Sequence, residues 1–382
     1  MLDNCFDKQG KENKFGFVGM KMKLGDVFKL SSGKSLPEKK RITGKHNVYG
    51  GNGITGNHND YFVEETTIVI GRVGEYCGAV HLTTEKCWIT DNALMVTEWY
   101  QEVDKQYLVY VLNAMNLHQY AKTVGQPSIS QANIYGLDIN LPLMDQQQEI
   151  VKILNLVSKI IIDRKEELNW LDDLIKARFV ELFGTIHDNK FGYEIKTLQD
   201  VCEQIKDGTH QTPTYTDDSV NGYKFLSSKD VTTGKIDWTH IKYIPKELHK
   251  ELYARIAPKR GDILLAKNGT TGIAAIVDRD EIFDIYVSLA LLRPIEINAV
   301  YLWAAINSVE TKQQFDSSLK GIGVPNLHLG EIKKAKIIVP PIKEQNQFAA
   351  FVEQTDKSKV VIQKALDEAQ LLFDSLMQKH FG

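Results

Sequence analysis

The feature that most constrains this chain is the repetition of its own sequence. The segment GQPSISQANIYGLDINLPLMDQQQEIV in the first half returns as GVPNLHLGEIKKAKIIVPPIKEQNQFAA in the second, at a spacing of 198 residues. Pro127 falls on Pro325, Ile134 on Ile332, Pro142 on Pro340 and Gln147 on Gln345. The register continues without a gap to Phe183-Gly184 and Phe381-Gly382. Upstream the match is looser: KLGDVFKL (23–30) resembles TLQDVCEQ (197–204), and TIVIGRVG (67–74) resembles ILLAKNG (263–269). Conserved ends with shifting offsets between them describe two related domains that have diverged in their loops, each followed by a helix.

The two repeat ends carry the clearest periodicity. Between 145 and 183, Leu154, Ile161, Leu168, Ile175 and Leu182 recur every seventh residue, with Ile150, Val157 and Leu171 on the adjacent seam. Between 344 and 381 the stripe is Phe348, Val352, Ile362, Leu366, Ala369, Phe373 and Leu376, interrupted at Thr355 and Lys359. Neither segment contains Gly or Pro, while Pro142 and Pro340-Pro341 stand just before their starts. A helix of about 38 residues is a rod of roughly 55–60 Å. With one apolar stripe it needs a partner, and two equivalent stripes can bury each other. Leu154, Ile161, Leu168 and Ile175 on the first helix, and Val352, Ile362, Leu366 and Phe373 on the second, are the expected pairing residues.

The remaining stretches, about 22–144 and 195–342, hold short β-rich runs such as 67–71, 79–82, 262–266 and 273–277 between Gly-, Asn- and Pro-rich turns. Each is expected to be an α+β domain around a twisted, largely antiparallel sheet. The boundaries that follow are a lead-in over 1–21, domains over 22–144 and 185–342, and helices over 145–184 and 343–382.

Composition excludes several classes. At 382 residues and 43% hydrophobic, the chain is long enough for two or three globular domains. It has no apolar run of about 18 residues to cross a membrane, and residues 1–25 lack a signal-peptide core. Cys5, Cys77, Cys87 and Cys202 are scattered without CxxC spacing, which argues against zinc and disulfides and fits a reducing cytoplasm. A net charge of −3 means that nucleic-acid binding must come from local patches or be shared with a partner.

Catalytic motifs are missing. A phosphate loop would need G-x-x-x-x-G-K-[ST], but before Gly33-Lys34-Ser35 the first glycine is replaced by Phe28. The Pro340-Pro341 pair follows Val339, so it lacks the Asp or Asn that an amino-methyltransferase loop requires. Glu331-Ile332-Lys333 with Asp316, and Glu194-Ile195-Lys196, resemble nuclease triplets only loosely. What remains are polar, turn-rich loops in equivalent places, with Arg72-Val73-Gly74 opposite Lys267-Asn268-Gly269. Asn, Ser, Thr, Arg and Lys read base edges and phosphates. The candidate DNA contacts are Lys45, Tyr49, Asn52, Asn57, Arg72 and Asn92 in the first half. In the second they are Thr209, His210, Ser227, Ser228, Lys229, Lys267, Asn268, Thr270 and Thr271. A cationic cluster of Lys34, Lys39, Lys40, Arg41 and Lys45 adds a phosphate-binding surface. The alternative for every loop is an ordinary turn, with Arg72 or Lys267 merely paired to a carboxylate.

At these residues a family resemblance becomes specific. VYGGNGITGNHNDYF, TIVIGRVGEYCGAV and WITDNALMV resemble one type of target-recognition domain. DGTHQTPTY, YKFLSSKDV, KYIPKELH and KRGDILLAKNGTTGIAAIV resemble another. The helical segments, ending in LFG and HFG, resemble the conserved regions of Type I restriction-modification specificity subunits. The resemblance covers about 22–382, in the order domain, helix, domain, helix; residues 1–20 depart from the usual lead-in. It implies two tandem α+β target-recognition domains, with long helices paired as an antiparallel coiled coil and related by a pseudo-twofold axis. It also implies a non-catalytic reader of a bipartite, asymmetric double-stranded DNA target, cytoplasmic and without a membrane partner. Two adenine-N6 methyltransferase subunits, then restriction-translocase subunits, would assemble on it. S-adenosylmethionine, ATP and Mg would sit on those partners, and no cofactor on this chain. The helices would act as a ruler between half-sites about 34 Å apart, and the face carrying Trp170 and Phe179 would be a docking surface. Two other readings are a system whose methyltransferase also carries the nuclease, and a coiled-coil scaffold that reads no DNA.

Overall fold

The computed structural model of the chain describes residues 19–122, 125–319 and 326–382, and in it the sequence repeat becomes one strand plan used twice. The first 18 residues of the expected lead-in lie outside the described residues. The chain divides into two units, one running to Lys165 and including Lys364–Gly382, the other Glu166–Gln363. Both boundaries fall inside a long helix, so each unit contains part of both helices.

In the first unit the strands are β1 (Gly19–Lys23), β2 (Phe28–Ser32), β3 (His46–Gly50), β4 (Gly53–His58), β5 (Ile68–Gly71), β6 (Val80–Leu82), β7 (Trp88–Ile89), β8 (Ala93–Trp99) and β9 (Asp138–Pro142). Helices α1 (Lys105–Ala114) and α2 (Gln131–Tyr135) precede β9, and α3 (Met144–Phe183) follows it. The second unit repeats this with β10 (Glu194–Thr197), β11 (Cys202–Asp207), β12 (Tyr223–Leu226), β13 (Lys242–Ile244), β14 (Ile263–Ala266), β15 (Ala274–Ile276), β16 (Phe283–Ile285), β17 (Leu289–Pro294) and β18 (Lys336–Val339). Its helices are α4 (Lys246–Arg255), an insertion between β13 and β14, then α5 (Ala299–Ile306), α6 (Val309–Ser318), α7 (Leu329–Lys334) and α8 (Ile342–Phe381).

Sheet order is the same in both units. A four-stranded sheet runs β2-β8-β5-β6 in the first and β11-β17-β14-β15 in the second. A three-stranded sheet runs β4-β3-β7 and β13-β12-β16, and a two-stranded ribbon joins β1 to β9 and β10 to β18. Pairing is antiparallel except for β3 with β7 and β12 with β16. β5 (IVIG) and β14 (ILLA) sit between two neighbours and are buried at every position, which is why both read as unbroken apolar runs rather than alternating ones.

The long helices are antiparallel within each unit. In the first, Ile150, Val151 and Leu154 near the start of α3 share a core with Phe373, Leu376, Met377 and Phe381 near the end of α8. In the second, Ile175, Phe179 and Phe183 at the end of α3 share a core with Phe348 and Val352 at the start of α8. The Phe348 ring lies edge-on to Phe179 at 5.5 Å and to Phe183 at 5.7 Å. Of the expected pairing residues, Leu154, Ile161, Ile175, Val352 and Leu366 are buried, while Leu168, Ile362 and Phe373 are half-buried. The two interruptions of the α8 stripe are buried and satisfied: Thr355 donates to the Phe351 carbonyl at 2.9 Å, and the Lys359 ammonium meets Asp172 of α3 at 2.5 Å. Phe179 belongs to this core and is not part of a docking face; Trp170, in contrast, is 65% exposed. Among the described residues no helix is long and apolar enough to cross a membrane.

The repeated Pro…Gln signature has a structural cause. Gln147, buried in the first turn of α3, donates from Nε2 to the Pro142 carbonyl at the end of β9 (2.8 Å). Its Oε1 accepts from the backbone N–H of Asp104, the N-cap of α1 (2.9 Å). Gln345 repeats both bonds, donating to Pro340 (2.7 Å) and accepting from Asn298, the N-cap of α5 (2.8 Å). Each carboxamide thus fastens a strand end, a helix start and the long helix together. Replacing Gln147 or Gln345 by Leu keeps the volume but orphans a half-buried N–H and a buried carbonyl. Each substitution should lower the unfolding free energy by about 2–4 kcal/mol, read as a shift of the urea midpoint; a shift below about 0.5 kcal/mol would remove the bonds from any structural role.

Candidate nucleic-acid interface

In each unit four segments meet at one end of the four-stranded sheet. They are the exit from β2 or β11, the loop after β5 or β14, the turn before β8 or β17, and the segment leading to α2 or α7. Glycine makes the junction possible. A Cβ on Gly33 would lie 2.3 Å from the Ile89 and Thr90 carbonyls, and one on Gly208 would lie 2.1 Å from the Ile285 carbonyl. Gly33-Lys34-Ser35 is therefore a close backbone crossing between sheets and not a phosphate loop.

The same backbone bonds hold both clusters. Arg72 N–H donates to Asn92 O at 2.9 Å, and Lys267 N–H to Ser288 O at 2.9 Å. Arg72 O accepts from Ile129 (2.9 Å), and Lys267 O from Leu327 (2.8 Å). On this shared frame the side chains differ. Arg72 is exposed and its guanidinium donates to the neutral Ser32 hydroxyl at 3.1 Å. At the matched position Lys267 is 5% exposed and its ammonium sits 3.0 Å from Asp207, which also takes His210 at 3.1 Å. Burial pushes the Asp207 carboxyl up, but Lys267 and His210 outweigh it and hold the group below the usual carboxylate range. The reading of Lys267 as an available cation is thereby corrected: it is neutralised in the fold. Arg72, with Lys34, Lys39, Lys40 and Lys45, has no carboxylate within ion-pair distance among the described residues.

Other expected contacts also divide. Lys45, Asn52, Asn57 and Asn92 are exposed in the first unit, with Asn52 at the tip of the β3–β4 hairpin and Asn57 bonded to Asn47 at 3.1 Å. Tyr49 is not available: it is 3% exposed, packs beside Val69 and Ile89, and its hydroxyl accepts from Thr84 N–H at 2.9 Å. In the second unit His210, Lys229 and Thr270 are exposed, whereas Thr209 and Thr271 are buried in the turns that carry them. Ser227 caps the short turn after β12 by pairing with Asp230, and Ser228 N–H donates to Ser288 Oγ at 3.0 Å, so both serve the local fold. Asn268 is half-buried and bridges Asn326, a residue the linear pattern did not single out. Ser32, Asp207 and Asn326 were missed because each meets its partner across 40 to 60 residues of chain.

The nuclease-like triplets are ordinary surface pairs. Glu194 holds Lys196 at 3.1 Å, Glu331 holds Lys334 at 3.5 Å and Asp316 holds Lys312 at 3.8 Å. Among the described residues no three His, Cys, Asp or Glu gather around a point that could hold a metal. Among the described residues a buried acid–imidazole pair joins Asp284 on β16 to His249 on α4 at 2.7 Å, under the stacked ring of Tyr223. It lies inside the inserted helix contact. Burial raises the Asp284 carboxyl to about 6, partly opposed by His249.

Residues 19–170 and 191–370 each match the Type I restriction modification DNA specificity domain. The chain is 24% identical over 336 residues to the Type I restriction enzyme MjaVIII specificity subunit of Methanocaldococcus jannaschii, covering 81% of this chain and 78% of that one. It is 22% identical over 354 residues to the EcoBI specificity subunit of Escherichia coli, covering 84% and 74%. Its fold is similar to the crystal structure of the Type-I restriction-modification system S subunit from M. genitalium, with a TM-score of 0.61, 17% identity, and coverage of 97% and 98%.

Two outcomes test this geometry. Arg72→Ala should leave unfolding unchanged within about 0.5 kcal/mol. Lys267→Ala strands Asp207 and should cost about 2–3 kcal/mol, less than a fully buried pair because His210 remains; equal effects on thermal unfolding would refute the contrast. Asp284 gives a pH signature. The folded chain keeps its proton to about pH 6, while the unfolded carboxyl releases it near the ordinary aspartate value of 3.8. Folded protein therefore binds the extra proton between those limits, and stability should fall as pH rises from about 4 to about 6. Asp284→Asn should flatten that slope in urea titrations at stepped pH.

Proposed function

The chain belongs to the Type I restriction modification DNA specificity domain family, carrying that domain twice, and from this premise we propose that each unit reads one half of a bipartite, asymmetric DNA target. The observation that carries the reading is one backbone frame bearing opposed chemistry: Arg72 on a neutral serine in the first unit, Lys267 on a carboxylate in the second. Two equal frames support two half-sites, and unlike side chains support two different sequences. The chain performs no chemistry itself. It directs adenine-N6 methylation, or restriction, by partner subunits in the cytoplasm. Two methyltransferase subunits supply S-adenosylmethionine, and restriction-translocase subunits use ATP and Mg.

The electrostatics suit shared binding. A net charge of −3 gives no global attraction to DNA, so the exposed Arg72, Lys34, Lys39, Lys40 and Lys45 supply local phosphate contacts and the partners supply the rest. The isolated chain should bind duplex DNA weakly and with steep salt dependence, and the complex with methyltransferase should bind specifically.

The decisive experiment is a single-molecule methylome of a methylation-free host expressing this chain with the methyltransferase of its own system. N6-methyladenine should appear at one split, asymmetric motif only when this chain is present. The same motif from methyltransferase alone, or a palindromic motif, would overturn the reading.

A further inference from the structure

At the loop cluster of the second unit, a cleft of about 520 Å³ opens between Asp207, His210, Lys267, Asn268, Asn326 and His328. Two features of its wall are unusual. The side-chain oxygens of Asn268 and Asn326 are both buried and have no hydrogen-bond partner among the described residues. The one buried cation, Lys267, is already neutralised by Asp207. Unpaired buried acceptors are rare and unfavourable in a folded chain, and they call for a partner that arrives later. A phosphate brings only acceptors, so it would leave both buried oxygens unpaired, and the cation buried in the wall is already neutralised.

Resting on the DNA-reading function above, we propose that Asn268 and Asn326 are specificity-determining residues that recognise an adenine in the half-site read by the second unit. A carboxamide offers an acceptor and a donor side by side. Adenine alone presents the complement in the major groove, the N6 amino group as donor and N7 as acceptor. Guanine shows two acceptors there, thymine one acceptor and a methyl, and cytosine only an amino group. The first unit provides the internal contrast. The Asn268–Asn326 bridge corresponds to a Val73–Ser128 bridge, with no carboxamide on either side. The two units thus differ at one matched pair of positions in whether they can read this base edge at all.

The test uses the complex of this chain with its methyltransferase, on duplexes in which purine, lacking the amino group, replaces each adenine of the motif in turn. Binding should weaken about ten- to a hundred-fold at one adenine that the variant then ignores. That variant is Asn268→Val with Asn326→Ser, which installs the pair already accommodated by the first unit's frame. It should bind the adenine and purine duplexes equally at that position while keeping the wild-type response in the other half-site. Asn268→Ser and Asn326→Ser, tested singly, provide the same comparison if the double variant does not assemble. A flat purine scan overturns the proposal, as does a variant that discriminates like the wild type. Failure of all three variants to assemble assigns the pair to folding and overturns it too. If the wild-type complex shows no bipartite motif at all, it is the DNA-reading function that fails.

Discussion

A single buried side chain per unit organises the rest. Gln147 and Gln345 each spend both ends of a carboxamide on backbone groups that no secondary structure satisfies: a proline carbonyl at a strand end and the N–H of a helix N-cap. Glutamine suits the task because it carries one donor group and one acceptor on the same planar unit. Since the residue sits in the first turn of a 40-residue helix, the direction in which that helix leaves the sheet is tied to the β1–β9 or β10–β18 ribbon. The packing further along, from the core that Leu154 and Phe373 share to Phe179 on Phe348, follows from that departure.

Around the recognition loops the fold keeps backbone and side chain apart. The amide bonds that position Arg72 and Lys267 are equivalent, so the frame does not depend on which cation it carries. Ser32 leaves Arg72 a full charge in water, whereas Asp207 draws Lys267 inward and cancels it. Two matched positions, Ser32 with Arg72 against Asp207 with Lys267, therefore differ in whether the cation is exposed or paired, on the same sheet order. That separation is what allows one architecture to carry unlike side chains at matched loops.

Much of the fold was legible in the sequence, because its signals were local. The heptad stripes needed only spacing, the fully buried β5 and β14 only composition, and the repeat only self-comparison. The loops were another matter. Tyr49 carries the look of a base-stacking residue, yet its neighbours Val69 and Ile89 come from other strands and enclose it. Thr209 and Thr271 have base-reading chemistry but stand where a turn folds inward. Whether a polar loop residue faces water or core depends on a chain reversal that no short window contains.

The sequence by itself determined that there are two related domains, where the long helices begin and end, and that their apolar stripes demand partners. It did so because helix periodicity and repetition are properties of neighbouring residues. Tertiary structure alone decided which cation is free. Arg72 and Lys267 read alike in one dimension, and only the arrival of Ser32 or Asp207, 40 and 60 residues upstream, makes one an exposed cation and the other half of a buried pair.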